Sequence, residues 1–501
     1  MRTSTASAGK NVLFIFPSCN VKIFGNNEGI GAQKEKTIAP PLGILYLSAK
    51  LLDAGYHVEA CDYNAEDYSA DSVRQYIAGA DIVGISMLSF NRANAMEIIA
   101  EINRMRPELP VIVGGPDCIL HPRLISGTKA TAVEESESII VPLVEAVLSG
   151  GDLSEVPGIL YPHPLTGEPV AGAAYAYAKE LDAIKFPRRE LLRDNKGYNI
   201  IGEKASRNVT SIITSRGCPK RCRFCAHNAI AYQKYRARSA ANVLAELQQL
   251  AKDGFEIVGI VDDNFTADKK RATEILRGII DLKLKFSMAV QGRVDAADYE
   301  LFHLMRKAGV KVVTFGLESG NQDVLDFYNK QSTVAMNEKA IRLADKAGLY
   351  TGGLFIIGAP FETKEHFDRT YRFAADLPLD ISSFWVLDYT YGSKLWEEAF
   401  AAGKVKREEF NVPAGLERGT SAYPTEELQR MSEKYFYRFY RRPAYWLRQV
   451  LKLLRVRDYY FMRVMMVGIF WLVQRKAQIL WARIAGRRPA HRPTAPTPTP
   501  A

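Results

Sequence analysis

The sequence predicts an α/β protein of two successive units, a doubly wound Rossmann-like parallel sheet and then a partial (β/α)6 barrel, followed by a helical, basic extension. Three observations carry this. Short apolar runs alternate with amphipathic stretches over residues 11–150 and again over 206–400. The interval 151–205 holds Gly and Pro but no sustained period. Beyond 400 the chain turns aromatic and basic. Strand–helix alternation implies parallel strands whose crossover helices cover the sheet faces.

In chain order, residues 1–10 are short and polar and are expected to be disordered; they lack the charged, apolar, small-residue order of a secretory leader. In the first unit, 11–150, strands are expected at Val12–Phe16, Val58–Cys61, Ile82–Ser86 and Val111–Val113, with helices at Gly43–Ala54 and Asn94–Met105. Such sheets bind ligands outside the carboxyl ends of their strands, where the strand order reverses. Residues 151–205 read as a linker with a short hairpin. The second unit, 206–400, offers strands at Thr210–Thr214, Ile257–Val261, Lys285–Val290, Val312–Phe315, Gly353–Ile357 and Ser383–Leu387. Six βα repeats favour a partial barrel over a flat sheet, though periodicity alone does not separate them. Residues 401–486 are helical in pattern, and 487–501, rich in Pro, Thr and Ala, cannot bury enough surface to fold.

The chain has 501 residues, 47% hydrophobic and 24% charged, ordinary values for a protein with real cores. Its net charge of +10 is unevenly placed. Residues 441–492 carry thirteen Lys/Arg against one acidic residue, Asp458, a net +12, so the rest of the chain sums to −2. That segment therefore calls for an anionic partner, a membrane surface or nucleic acid. Val464–Val473 is apolar but only ten residues long, against about 20 for a bilayer span. It reads either as an interfacial helix whose cations reach lipid phosphates or as a cap on the barrel.

Three of the six cysteines fall within eight residues, in Ser215-Arg-Gly-Cys218-Pro-Lys-Arg-Cys222-Arg-Phe-Cys225. A secreted disulfide framework would spread its cysteines more evenly, so a reducing, cytoplasmic compartment is expected. The C-x₃-C-x₂-C spacing can hold one iron–sulfur cluster with one iron left open. Lys220, Arg221 and Arg223 are expected to lower the thiol pKa values and offset the cluster's charge. On this stretch alone a zinc site with His227 as fourth ligand stays open.

The cysteine stretch, following a first barrel strand, resembles the signature of the radical S-adenosylmethionine (SAM) superfamily. The resemblance implies a [4Fe–4S] cluster on Cys218, Cys222 and Cys225, with SAM on the open iron, cleaved to a 5′-deoxyadenosyl radical. It places Phe224 near the adenine. Val261-Asp-Asp-Asn-Phe265 stands where the family often has Gly-Gly-Glu, which makes Asp262 and Asp263 candidates for the SAM amino group. It further implies SAM contacts at Gln291 and Arg293 after the third strand, Glu318 and Ser319 after the fourth, and Gly358 in the segment Gly353–Glu362 after the fifth. Residues 11–150 resemble the cobalamin (B12) binding domain that precedes many such barrels, through Ala39-Pro-Pro-Leu-Gly43, Gly55-Tyr56 and Val111-Ile-Val-Gly-Gly-Pro116. That implies cobalamin contacts at Pro41, Leu42, Gly43, Ser86, Gly114 and Gly115. There is no Asp-x-His-x-x-Gly for a lower cobalt ligand, and Glu134-Glu-Ser-Glu137 stands where the subgroup often has Gly-Glu-Gly-Glu.

Together these imply cobalamin-dependent C-methylation of a hydrophobic metabolite such as a lipid, isoprenoid or tetrapyrrole. A flavodoxin or ferredoxin would be the electron donor, in the cytoplasm or peripherally on the inner membrane face. Two alternatives stand beside this: a cobalamin-dependent oxidative cyclase without methylation, and an RNA methylthiotransferase-like enzyme with a second cluster on Cys19, Cys61 and Cys118. Nucleic acid is not expected, because those relatives end in a small β-barrel where this chain reads as helices.

Overall fold

The structure, a computed structural model, describes residues 9–19, 39–192, 198, 208–230 and 234–457. Within them the chain forms two large sheets, the first mixed and the second parallel, and two small two-stranded ones. The first has seven strands. The chain's first five run parallel in the spatial order second, first, third, fourth, fifth: His57–Asp62, Asn11–Phe16, Ile82–Ser86, Val111–Gly114 and Ala130–Ala132. This is a doubly wound order whose switch point lies between Asn11–Phe16 and Ile82–Ser86.

Alternation along the first strand explains the two-sided core. Val12, Phe14 and Phe16 pack beneath the helices Leu42–Asp53 and Ile140–Ser149, while Leu13 and Ile15 pack on the other face with Ala70–Ile77 and Arg92–Met105. The hairpin of the interval 151–205, Ile159–Pro162 with Pro169–Ala171, is more than a linker. It pairs antiparallel with Ala130–Ala132 and extends the first sheet.

The second sheet has six parallel strands in sequence order: Val209–Ile212, Ile257–Ile260, Ser287–Gly292, Val310–Glu318, Tyr350–Ile357 and Ile381–Val386. An order without reversal puts every right-handed crossover on one face, so the sheet curls into a partial barrel with its helices outside. Outward residues such as Met288, Val313, Phe315 and Phe355 build the main core, and a small inner layer holds Val312 and Tyr350. The chain beyond 400 is not all helix: Asn411–Pro413 pairs with Asp388–Thr390. The helices Thr425–Tyr440 and Pro443–Val456 follow. The apolar run Val464–Val473 and the tail 487–501 lie outside the described residues.

Buried charge fixes the joint between the units. Arg189 donates to Thr210 Oγ1 (2.8 Å) and Ser211 O (2.7 Å) on the first barrel strand and pairs with Glu246 (2.6 Å), which also takes Arg238 (2.5 Å). One carboxylate between two guanidiniums in a dry site holds both arginines in register.

Candidate functional site

The cysteine loop leaves the barrel just after its first strand and is closed at its base. Ser215–Arg216 pairs antiparallel with Arg236–Ala237. Further along, Arg223 N–H donates to Tyr328 O (2.9 Å), Asn329 Nδ2 to Arg221 O (2.9 Å) and Leu395 N–H to Arg223 O (2.9 Å). Cys218, Cys222 and Cys225 are half-buried on this strapped loop. Burial pushes the Cys218 thiol up and the Cys225 thiol up to about 12, so a bound metal must supply the positive charge that draws the proton off.

The expectation that neighbouring cations would lower these values is corrected. Lys220 pairs with Asp295 (2.9 Å), and Arg223 pairs with Glu398 and lies over the Phe327 ring. The charge at the sulfurs comes instead from Arg293, whose Nη1 lies 3.7 Å from Cys222 Sγ while Nη2 donates to Lys330 O (2.6 Å).

The donor set fits a cluster. Three thiols share one closed loop that carries no fourth cysteine, and a guanidinium stands at one sulfur. His227 Nδ1 is bonded to Asp263, which leaves Nε2 as the nitrogen a metal would take, so the zinc alternative keeps its candidate fourth ligand. Among the described residues no three His, Cys, Asp or Glu side chains already converge on a position for one ion, the three cysteines included, so the fit to a cluster rests on their spacing in one loop and on the guanidinium beside it. The hydrogen bond to Asp263 raises the His227 pKa against the opposing effect of burial.

The other barrel candidates divide. Phe224 packs edge-on to Tyr328 (5.3 Å) within the loop's support. Asp263 accepts from Gly217 N–H (3.1 Å) and faces the cavity described below. Gln291 is exposed at its strand end. Glu318, at φ +59 after a register shift in its strand, pairs with Lys330 Nζ (2.5 Å), and both are buried. The sequence reading missed Lys330: it lies between elements, with no motif around it, and only the fold brings it to Glu318.

Asp262 and Ser319 do not join this group. Asp262 is buried and accepts from Thr214 N–H (2.6 Å) and Ser215 Oγ (2.6 Å), so it ties the first strand's end to the second. Ser319 is consumed by Thr370 (3.0 Å) and Asn321 (3.1 Å). Gly358 contributes backbone geometry. Its φ is +108, and a Cβ there would meet Leu428 at 3.0 Å.

Its amide and that of Ala359 donate to one oxygen of buried Glu362 (2.8 and 2.7 Å), whose other oxygen has no hydrogen-bond partner among the described residues. Burial raises the Glu362 pKa from 4.5 to about 7. Between those values the folded chain keeps a proton that the unfolded chain has released. Stability should therefore fall as pH rises through this window and level off above it, by about 3 kcal/mol at most. Thermal melts across that range should show this slope in the wild type and lose it in Glu362→Gln.

The cobalamin candidates meet the barrel across a cavity of about 380 Å³ at the first sheet's switch point, within the usual size of ligand sites. Gly43, Ser86, Gly114 and Gly115 line it from one side, and Arg216 and Asp263 from the other. Gly115 has φ +113, and a Cβ there would meet Met87 O at 2.7 Å. Pro41 and Leu42 are buried at the start of the helix and are not on the wall. Glu134-Glu-Ser-Glu137 lines it too: Glu135 pairs with Arg216 (3.1 Å) and Arg236 (2.5 Å), and Glu137 pairs with Arg216, so the acidic stretch binds the two units together.

The proposed second cluster finds no support in the geometry. Cys19 packs with one face of the first sheet, and Cys61 and Cys118 pack with the other. Burial raises all three, to about 11 for Cys19 and about 12 for Cys118.

Two family models match the chain, the radical SAM superfamily over residues 212–374 and the B12 binding domain over 30–142. An uncharacterized methyltransferase of Pyrococcus horikoshii is 28% identical over 425 residues, covering 83% of this chain and 91% of that protein. The anaerobic magnesium-protoporphyrin IX monomethyl ester cyclase of Rubrivivax gelatinosus is 30% identical over 363 residues, 69% of this chain and 63% of that one. Among solved structures, the radical SAM methyltransferase TsrM from Kitasatospora setae, with cobalamin and a [4Fe–4S] cluster bound, superposes with a TM-score of 0.64 at 19% identity, covering 84% of this chain and 81% of that one.

Proposed function

We propose that this chain, which belongs to the radical SAM superfamily and carries a B12 binding domain ahead of its barrel, is a cobalamin-dependent C-methyltransferase acting on a hydrophobic small molecule. The observation that carries this is the shared cavity. The glycine-lined edge of the first sheet and the base of the cysteine loop open onto one space, so two cofactors held on the two units would face each other there.

When bound, the cluster supplies the electron that splits SAM and cobalamin supplies a methyl carrier. The residues do the rest. Cys218, Cys222 and Cys225 would hold the cluster, leaving an iron for SAM. The Glu318–Lys330 pair and Gln291, at the carboxyl ends of the strands, would orient SAM, and Phe224 would stand against its adenine. Gly43, Ser86, Gly114 and Gly115 would let the corrin approach the backbone closely. Val261 and Phe361, exposed at 43% and 42% at the carboxyl ends of two barrel strands, favour an apolar substrate. A flavodoxin or ferredoxin is the electron donor this reading requires. The expected location is the cytoplasm, with the basic C-terminal segment as a peripheral contact to anionic membrane. The cyclase relative, at 30% identity, supports a second reading in which the same cofactors close a ring without methyl transfer.

Anaerobic purification and reconstitution test the cofactor set. About four iron atoms and one cobalamin per chain are expected; iron without cobalamin retention would overturn the cobalamin part. Arg293 provides a finer check. A cation donating to a cluster sulfur stabilises the reduced state, so Arg293→Gln should shift the cluster's midpoint by roughly tens of millivolts to more negative potential in an EPR-monitored titration.

A further inference from the structure

The helix Pro443–Val456 has two unlike faces. One is bolted to the barrel. Lys452 Nζ pairs with Asp380 (2.5 Å) and Asp345 (2.8 Å) and donates to Leu349 O (2.7 Å), Gln449 donates to Asp380 (3.1 Å), and Arg448 donates to Leu377 O (2.7 Å). These partners stand at the amino ends of the last two barrel strands, the end opposite the cysteines. The other face carries Leu447, Val450, Leu451 and Leu454, exposed at 62, 49, 57 and 67%. Their spacing is one continuous stripe along a helix. Exposing four large apolar side chains in a row is costly unless something covers them.

We propose that this stripe is a docking face for an anionic lipid surface, and that it tethers the enzyme with its catalytic mouth turned away from the membrane. The proposal rests on the peripheral location given above but not on the cofactor assignment. Charge selects the occupant. Of the six Lys/Arg in residues 441–457, a stretch with no acid, Arg442, Arg448, Lys452 and Arg455 are bonded to the barrel, while Arg441 and Arg457 are exposed at the two ends of the helix that carries the stripe. The chain's own continuation, 458–492, adds seven Lys/Arg against Asp458 alone. Folding that continuation onto the stripe, or docking a second copy, would set basic against basic with almost no acidic partner. Lipid phosphates neutralise both, while the leucines enter the acyl boundary and the arginine stems extend to the headgroups. Nucleic acid would satisfy the charge but leave the leucines uncovered.

The test is flotation of the full-length protein with vesicles of phosphatidylglycerol in phosphatidylcholine, against phosphatidylcholine alone and against tRNA. The wild type should float with the anionic vesicles, less so at high salt. The triple variant Leu447→Gln, Leu451→Gln, Leu454→Gln should bind about tenfold or more weakly. Its melting temperature and its SAM cleavage should be unchanged. Equal flotation of variant and wild type would overturn the proposal, as would binding to tRNA without flotation. So would a wild type that does not float while the variant melts lower, because the chain's own tail would then be the cover. Arg441→Gln with Arg457→Gln, which leaves the stripe intact, should lower binding to anionic vesicles only. Failed flotation with intact SAM cleavage would overturn this face and leave the catalytic reading standing.

Discussion

Cys225→Ala is expected to abolish SAM cleavage, bringing 5′-deoxyadenosine down to the level of a protein-free control, while the chain stays folded. Two thiolates cannot hold three of the cluster's four corners, so iron content should collapse as well. The fold should survive because the loop is strapped by backbone bonds to Tyr328 and Leu395 and by the ladder Ser215–Arg216 with Arg236–Ala237, and none of these uses a thiol. Cys218→Ala and Cys222→Ala should behave alike. Cys61→Ala is the control that separates one cluster from two. Cys61 is a buried packing residue on the first sheet, so its loss should cost about 1 kcal/mol of stability and no iron. Iron loss in Cys61→Ala would revive the second-cluster reading.

Gly43→Phe should remove cobalamin and spare the cluster. Gly43 opens the helix Leu42–Asp53, lines the cavity, and would place a Cβ with nothing within 4 Å. The substitution therefore strains no backbone, and a helix gains about 0.5 kcal/mol when Gly is replaced by a better helix former. Because Gly43 lines the cavity and has open space at its Cβ, the ring can fill that wall. Cobalamin retention should fall at least about a hundredfold, since a filled wall excludes a flat ligand sterically rather than weakening one contact. Iron content should be unchanged, and S-adenosylhomocysteine should vanish while 5′-deoxyadenosine persists. Unchanged cobalamin retention would remove the cavity from the account.

The strands were legible because they are buried on both faces and read as short apolar runs, and the cysteine loop because its ligands are local in sequence. What could not be read was decided by single-residue alternation or by distance. Asp262 and Asp263 are adjacent, yet one points inward to Thr214 and Ser215 and the other toward Gly217 and His227. Lys220 and Arg223 seemed placed for the thiolates, but each found a nearer carboxylate. Arg293, 71 residues from Cys222, supplies the charge instead. Glu135 and Glu137, read as a weakened cofactor motif, bind the barrel's Arg216 and Arg236 across the joint. The basic extension could be read as basic, but the exposed apolar stripe on the helix Pro443–Val456 could not.

The central claim is that two cofactor sites share one cavity and act in one reaction. The direct measurement is made on anaerobically reconstituted enzyme given SAM and a reductant, with 5′-deoxyadenosine and S-adenosylhomocysteine quantified in the presence and absence of cobalamin. The account predicts both products, with S-adenosylhomocysteine appearing only when cobalamin is bound. S-adenosylhomocysteine formed equally without cobalamin, or neither product from a sample with an intact cluster, would contradict it.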